Sequence, residues 1–338
     1  MVTINDIAEE ANVAKSTVSK VINNYSGVNE ETKNKILKIM KEKNYWPSSA
    51  ARILSTNKSN VIGVFVPQHL NHFFWREVID GIGRVFDKEG YDLLYFSNQK
   101  WVDGKDTGSS FSYSEKCKHR NVDGTILFGF NKGNTTRFDK LIKSDIPAVF
   151  IDVDLTSKKT SYVISDNFNG AKKAVKYLYK LGHEKIALFM GHGYIKPAQD
   201  RLSGYKEVLQ ELNIEFRPDW VFTGNYTEKD GYQAMKKIMK MSDRPSAILG
   251  EDMLAIGAIQ TIKDEGLSVP GDFSIMGFDD IEISRYITPG LTTVSQNKLK
   301  MGISAANLLL KIINDQEQAP IMLPTDIVER DSCRSLKQ

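Results

Sequence analysis

From Val61 onward, short apolar runs of strand length alternate with amphipathic stretches of helix length, and the alternation restarts after Tyr162. VIGVFV (61–66), YDLLYF (91–96), GTILF (124–128) and AVFI (148–151) are strands of the first block. Residues 186–190, 220–222, 247–249 and 273–278 are strands of the second. Helices are expected over 75–89, 168–181, 199–212, 228–241, 253–265 and 299–314. The polar stretch 97–122 offers only a partial helix near 114–120, and IMLPTDIVERDS supplies closing strands. Uninterrupted apolar strands joined through helices imply parallel sheets covered by helices on both faces. Two such blocks imply two α/β lobes.

The first 45 residues follow a different period. Thr3 can cap a helix over Ile4 to Ala11, with Asp6 three positions on as in a capping box. Ile4, Ile7, Ala8 and Ala11 share one face, and Asn12-Val13 makes a tight break. A second helix, Lys15 to Asn23, buries Val18, Val21 and Ile22. Asn29 caps a third from Glu30 to Lys43, whose Ile36, Ile39 and Met40 complete a small core. Two short helices around a tight turn make a helix-turn-helix unit. The second helix exposes Lys15, Ser16 and Thr17 at its start, with Ser19 and Lys20 one turn on. Lysine donates to guanine O6 and N7, and serine serves bases or phosphates. Taken singly these residues also suit a solvated face. The whole pattern TINDIAEEANVAKSTVSKVINN favours the DNA-reading alternative.

Charge placement agrees. Residues 1–58 hold nine Lys/Arg and six Asp/Glu, so the chain's net charge of +3 lies entirely in this segment. A surplus of three is weak evidence for nucleic acid alone, and stronger beside a DNA-reading motif. At 338 residues more than one domain is required. No apolar run approaches 18 residues, and MVTINDIAEEA lacks a signal-peptide pattern, so a cytoplasmic protein with no membrane partner is expected. Cys117 and Cys333 fit no metal or redox spacing and are expected to stay reduced. No metal and no cofactor are expected.

Between the two architectures lies YWPSSAARILSTNKS (45–59), where Ser48 to Leu54 could form about one and a half helical turns. That is well short of the roughly 12–15 residues an isolated helix needs. If helical, it must be held so by something else.

TINDIAEEANVAKSTVSKVINN…VNEETKNKILKIMKEKNYWPSSAARIL resembles the DNA-binding head and hinge of the lac-repressor (LacI/GalR) family of bacterial transcription regulators, and with the lobes the resemblance covers nearly the whole chain. It implies that Lys15, Ser16 and Lys20 are the main base readers. Thr3, Thr17, Ser19, Asn23, Ser49 and Arg52 join them as DNA-binding candidates. It also implies that Pro47 to Leu54 fold into a hinge helix when a dimer sits on its operator. Leu54 would then wedge into the minor groove, where an apolar wedge trades unstacking for a bent duplex that contacts more protein. The chain departs from the family at Ala14, usually a serine capping the recognition helix, and at Ile53, usually a small residue.

Ligands of parallel sheets bind beyond the C-terminal strand ends. Those ends carry Gln68, His69, Asp152, His192, Tyr226, Glu251, Asp252, Asp279 and Asp280. With Phe73, Phe74 and Trp75 nearby they suit a hydroxyl-rich ligand stacked on rings. Asp252 is expected to cap the following helix and not to touch ligand. The resemblance places Arg201, in DRLSGY, on the arginine that grips the effector, and Asp279, in GFDD, on the second lobe's aspartate. Asp152 and Tyr226 also fall on pocket positions. Glu251 stands where sugar-binding members commonly have asparagine, and His72 where they commonly have proline.

The resemblance implies two Rossmann-like lobes similar to periplasmic binding proteins. The head spans 1–46 and the hinge and linker 47–59. The N-terminal lobe is expected at 60–162 plus 292–322, and the C-terminal lobe at 163–291 plus 323–338. The expected function is a repressor that binds a pseudo-palindromic operator as a homodimer, gated by a small effector between the lobes. Arg201, Asp152, Asp279 and Tyr226 favour a sugar. A nucleobase corepressor or a phosphorylated carrier protein docking on the N-terminal lobe is the alternative. The lobes alone would suit a plain solute-binding protein, which the helix-turn-helix argues against. No Ser/His/Asp pattern or phosphate-cradling glycine loop supports an enzyme.

Overall fold

The computed structural model describes residues 2–23, 25–46, 58–66, 73–97, 101–102, 105–106, 112–129 and 135–337. Most of the expected hinge, including Ser49, Arg52 and Leu54, lies outside these residues, as do Gln68, His69 and His72. The chain divides into two compact units, Met1–Asn60 and Val61–Gln338.

The first unit is three helices, α1 (Ile4–Ala11), α2 (Lys15–Ile22) and α3 (Glu30–Glu42). The Thr3–Asp6 capping box is formed in both directions, and Asn12 closes α1 in the left-handed conformation at φ 55°. Asn29 Oδ1 accepts the Thr32 N–H at 2.7 Å and opens α3. Ile7, Val18 and Ile36, one from each helix, are fully buried and meet at the centre. Ala14, which opens α2, gives no side-chain bond.

The second unit begins with β1 (Val61–Val66), α4 (Phe73–Glu89), β2 (Asp92–Ser97) and a hairpin of β3 (Trp101–Val102) and β4 (Lys105–Asp106). Next come α5 (Tyr113–His119), β5 (Gly124–Phe128), α6 (Thr135–Ile142), β6 (Ala148–Ile151) and β7 (Thr160–Ser165). The second block runs α7 (Asn167–Lys180), β8 (Ile186–Met190), α8 (Lys196–Glu211), β9 (Val221–Thr223), α9 (Glu228–Met239), β10 (Ala247–Gly250), α10 (Asp252–Asp264) and β11 (Ser274–Asp279). It ends with β12 (Thr292–Gln296), α11 (Lys298–Ile313), β13 (Ile321–Leu323) and β14 (Thr325–Val328).

Among the described residues these strands form two six-stranded sheets, in the orders β13-β7-β6-β5-β1-β2 and β14-β12-β11-β10-β8-β9. Every pairing in the first is parallel, and in the second only β14 runs antiparallel. GTILF, AVFI and IALFM are buried at every residue, as the uninterrupted apolar runs require of strands covered on both faces.

The expected lobe limits fall a few residues from where the sheets divide the chain. Strand β7, not expected from the sequence, runs to Ser165, across the expected lobe limit at 162. Residues 292–296, expected in the first lobe, pair with β11 and β14 in the second sheet. Thr293 also donates to buried Asp252 of α10, which holds this strand to the second lobe. The crossing back therefore follows Gln296, and α11 packs on the first lobe's core. The last two strands split, β13 extending the first sheet and β14 the second. Helix pairs pack closely where glycines face each other. A Cβ on Gly302 of α11 would lie 2.0 Å from Val78 O of α4, and one on Gly257 of α10 1.9 Å from Glu228 O of α9.

Candidate effector pocket and DNA-reading helix

The C-terminal strand ends bring most of the expected pocket residues together. Asp152 follows β6, Glu251 follows β10 and Asp279 ends β11, while Arg201 comes from the second turn of α8. Arg201 Nη1 lies 3.0 Å from Glu251 Oε1 and 3.7 Å from Asp279 Oδ1. The closer pair is within ion-pair distance but lacks hydrogen-bond alignment, so Nη1 and both Glu251 oxygens have no hydrogen-bond partner among the described residues. The guanidinium is fixed from behind. Its Nε donates to Pro197 O at 3.2 Å and its Cζ lies 4.5 Å from the Phe278 ring centre.

Asp152 Oδ1 and the Tyr226 hydroxyl are likewise buried without a hydrogen-bond partner among the described residues. Such groups cost about 1–3 kcal/mol each when nothing meets them. A cluster of them at strand ends is a site built to be completed by something else. The backbone agrees: Asp152, Tyr226 and Asp279 sit at φ 62°, 64° and 118°. Non-glycine residues in such conformations cost about 1–3 kcal/mol and persist only where packing holds them. Tyr226 is held against the backbone of Gly191, where an added Cβ would fall 1.8 Å from the ring.

Burial pushes the Asp152 carboxyl up to about 7 against the pull of Arg201. Burial does the same to Glu251, again to about 7 and again opposed by Arg201. Asp279 is raised for the same reason, against Arg201, Lys298 and Gln296, which favour its charged form. Burial also lifts Tyr226 far above the usual phenol range. For Arg201, burial opposes the charge, yet Glu251, Asp279, Tyr226 and Asp152 together hold its pKa above the ordinary value.

Two groups at the site were missed in the sequence. Gln296 Nε2 donates to Asp279 Oδ1 at 2.6 Å. Lys298 Nζ, nearly fully buried, donates to the main-chain oxygens of Asp279 and Asp280 at 2.7 and 2.6 Å. Both lie where the chain returns to the first lobe, so Asp279 is tied to the crossing. Gln296 ends β12 and could have been suspected from its place at a C-terminal strand end. A buried lysine reaching main-chain carbonyls leaves no sequence signal.

Three expectations change. Asp252 does not cap α10, because Glu251 is the residue that opens the helix and Asp252 is already in its first turn. Its fully buried carboxylate accepts from Ile281 N at 2.8 Å, Ser284 Oγ at 2.6 Å and Thr293 Oγ1 at 2.6 Å. It is an internal staple. Asp280 Oδ1 pairs with Arg330 at 2.6 Å, which gives it a structural role as well. Phe74, with Val78 and Ile82 on the same helical face, packs into the first lobe's core, while Phe73 is exposed. At the rim, His192 stacks on Tyr194 and meets Tyr226 edge-on.

In the head, Lys15, Ser16 and Lys20 are exposed and Thr17, Ser19 and Asn23 half-buried. Asn23 Nδ2 donates to Ser19 O at 3.0 Å, closing the end of α2. The exposed Thr3 hydroxyl donates to Asp6 Oδ2 at 2.9 Å.

Comparison with known proteins gives matches over the same regions. Residues 3–48 match the model of bacterial regulatory proteins of the lacI family, and residues 175–333 that of a periplasmic binding protein-like domain. The chain is 34% identical to the HTH-type transcriptional repressor PurR of Vibrio vulnificus, with 99% of this chain and 100% of that protein covered. It is 34% identical to the ribose operon repressor of Haemophilus influenzae, with both chains covered in full. Among solved structures, the lac repressor dimer bound to operator and the anti-inducer ONPF superposes with a TM-score of 0.83 at 28% identity, covering 98% of this chain and 99% of that one.

Proposed function

The chain belongs to the lacI family of bacterial regulatory proteins, and from that premise we propose that it represses transcription by binding a pseudo-palindromic operator as a homodimer, under the control of a sugar bound between its lobes. The observation that carries this reading is one chain holding both a DNA-reading helix and a buried polar cluster that lacks partners. Lys15, Ser16 and Lys20 stand exposed on α2. Asp152, Arg201, Tyr226 and Glu251 converge at strand ends with polar atoms to spare. A relative named ribose operon repressor supports the sugar.

In this reading Lys15, Ser16 and Lys20 contact base edges, with Thr3, Thr17, Ser19 and Asn23 supporting them at the backbone. Residues 47–59 form the hinge, in which Ser49 and Arg52 face DNA and Leu54 is the minor-groove wedge. The effector lies against Asp152, Arg201, Tyr226, Glu251 and Asp279, with Phe73 at the edge. The lobes are residues 60–165 plus 297–323 and 166–296 plus 324–338. Effector binding changes how the lobes are placed in each protomer, and so how readily two hinges become helical on DNA. No helix among the described residues is long and apolar enough to cross a membrane.

The test is a footprint of the purified protein on pseudo-palindromic sequences upstream of its own and adjacent genes, repeated with a panel of sugars and nucleobases. Protection of a two-fold site, altered by a sugar, is expected. No protection anywhere would defeat the regulator reading, and a response to a nucleobase alone would defeat the sugar.

A further inference from the structure

The charges of the pocket do not balance. Arg201 is one cation shared by Glu251 at 3.0 Å and Asp279 at 3.7 Å. The charge of Asp152, from the first lobe, acts on the same guanidinium. Lys298 does not restore the balance, because its ammonium is bound to two main-chain oxygens and lies 3.5 Å from a further carboxylate, Glu77. The hydrogen bonds are equally one-sided. Glu251 is 3% exposed, with only the nearby main-chain N–H of Gly191 and its own favouring its charge and no well-aligned donor on either oxygen, and Asp152 is 7% exposed with Oδ1 unmet among the described residues. Gln296 Oε1 is a further buried acceptor without a donor. On the donor side Arg201 Nη1 and the Tyr226 hydroxyl are without a hydrogen-bond partner among the described residues.

A ligand that completes this site must bring donors and positive charge. A phosphate or carboxylate would be repelled by Glu251 and Asp152. A neutral sugar supplies hydroxyl donors but leaves buried carboxylates short of a counter-charge, which is costly in a dry site. An ammonium supplies three donors and the missing charge together. We propose that the effector is a polyhydroxylated compound bearing a protonated amine, an amino sugar, whose ammonium group pairs with Glu251 and Asp152. The proposal rests on the sugar reading above and narrows it. Glu251 is the specificity-determining residue, because its buried carboxylate, 3.0 Å from Arg201, selects for charge as well as for hydrogen-bond donors.

The test is titration calorimetry, supported by thermal shift, on the full-length protein. The probes are glucosamine, galactosamine and mannosamine, their uncharged parents glucose, galactose and mannose, and glucuronate and galacturonate. At least one amino sugar should bind at least about tenfold more tightly than its parent, a difference of roughly 1.4 kcal/mol, and the uronates should not bind. In Glu251→Gln that preference should vanish or invert while the parent sugar still binds. A wild-type protein that prefers a parent sugar or a uronate overturns the charge inference and leaves the sugar reading standing. A protein that binds no member of the panel but binds a nucleobase overturns both, and so does one that binds nothing. The wild-type panel decides the matter even if Glu251→Gln fails to fold.

Discussion

Glu251 and Asp152 cost the folded chain stability, and that cost has a definite pH dependence. Burial raises both carboxyls to about 7, from ordinary values of 4.5 and 3.8. Asp252, deep behind them, is raised to about 7 as well, again chiefly by burial. Between the two sets of values the native state keeps protons that the unfolded chain has released. Stability is therefore highest near and below the unfolded values and falls as pH rises toward 7, by at most on the order of 3–4 kcal/mol per group. Removing one carboxyl should flatten the slope. Urea denaturation at about pH 5 and about pH 8 should show a smaller loss of stability for Glu251→Gln than for wild type. Parallel losses would mean that Glu251 is already ionised throughout. At this scale the sequence was informative about position. Asp152, Glu251 and Asp279 follow from the rule that ligands meet parallel strands at their C-terminal ends. Asp252 did not follow, because one step in helix phase separates a cap from a first-turn residue turned inward, and only the partners Ile281, Ser284 and Thr293 reveal which it is.

Among the elements, α2 and the paired helices carry opposite kinds of tension. α2 begins without a side-chain cap, since Ala14 has no oxygen to offer the helix N–H groups. A serine there should add about 0.5–2 kcal/mol to the helix. If the start of α2 is the soft point of DNA reading, Ala14→Ser should raise operator affinity at fixed salt and leave effector affinity alone. Unchanged affinity would show that DNA contacts already hold the helix firmly. The helix pairs α4–α11 and α9–α10 are instead as close as backbones allow. Gly257→Ala would drive a methyl group to 1.9 Å from Glu228 O, and the helices would have to separate. The gain in helix propensity, about 1 kcal/mol, partly offsets an overpacking cost of about 1–3 kcal/mol. A net loss in denaturation midpoint is expected, and equal stability would mean that the pair can slide apart freely. Strong periodicity made the long helices and the apolar strands legible to within a few residues. β7, TSYVIS, was missed because its serines and threonine hide a strand that is almost wholly buried. α6 was missed because TTRFDKLI shows too few turns to declare a period. Strand TTVSQ pairs in the second sheet, and nothing in five residues says which sheet they join.

At the scale of the whole molecule, the lobes are joined by crossings at the end of β7, after Gln296 and between Leu323 and Thr325, and Asp279 is bound to the middle one through Gln296 and Lys298. On the proposed reading, an effector on Asp279 and Arg201 in one lobe and Asp152 in the other therefore acts at the crossing as well as between the lobes. In our reading, operator and effector bias the same two-state equilibrium, and their effects on each other must be equal. If an effector changes operator affinity by a given factor, operator must change effector affinity by that factor, since both are one coupling free energy, typically about 1–3 kcal/mol. Arg201→Ala should remove this coupling from both sides at once, because the guanidinium is the group on which the pocket's carboxylates converge. The measurement is a closed cycle: operator affinity with and without effector by anisotropy, and effector affinity with and without operator by calorimetry, at one salt concentration. Wild type should close the cycle within error, and Arg201→Ala should give unit coupling on both sides while still binding operator. An effector that releases operator equally well from Arg201→Ala would remove Arg201 from the switch. A wild-type cycle that failed to close would mean that more than one effector site, or a change in assembly, stands between pocket and DNA.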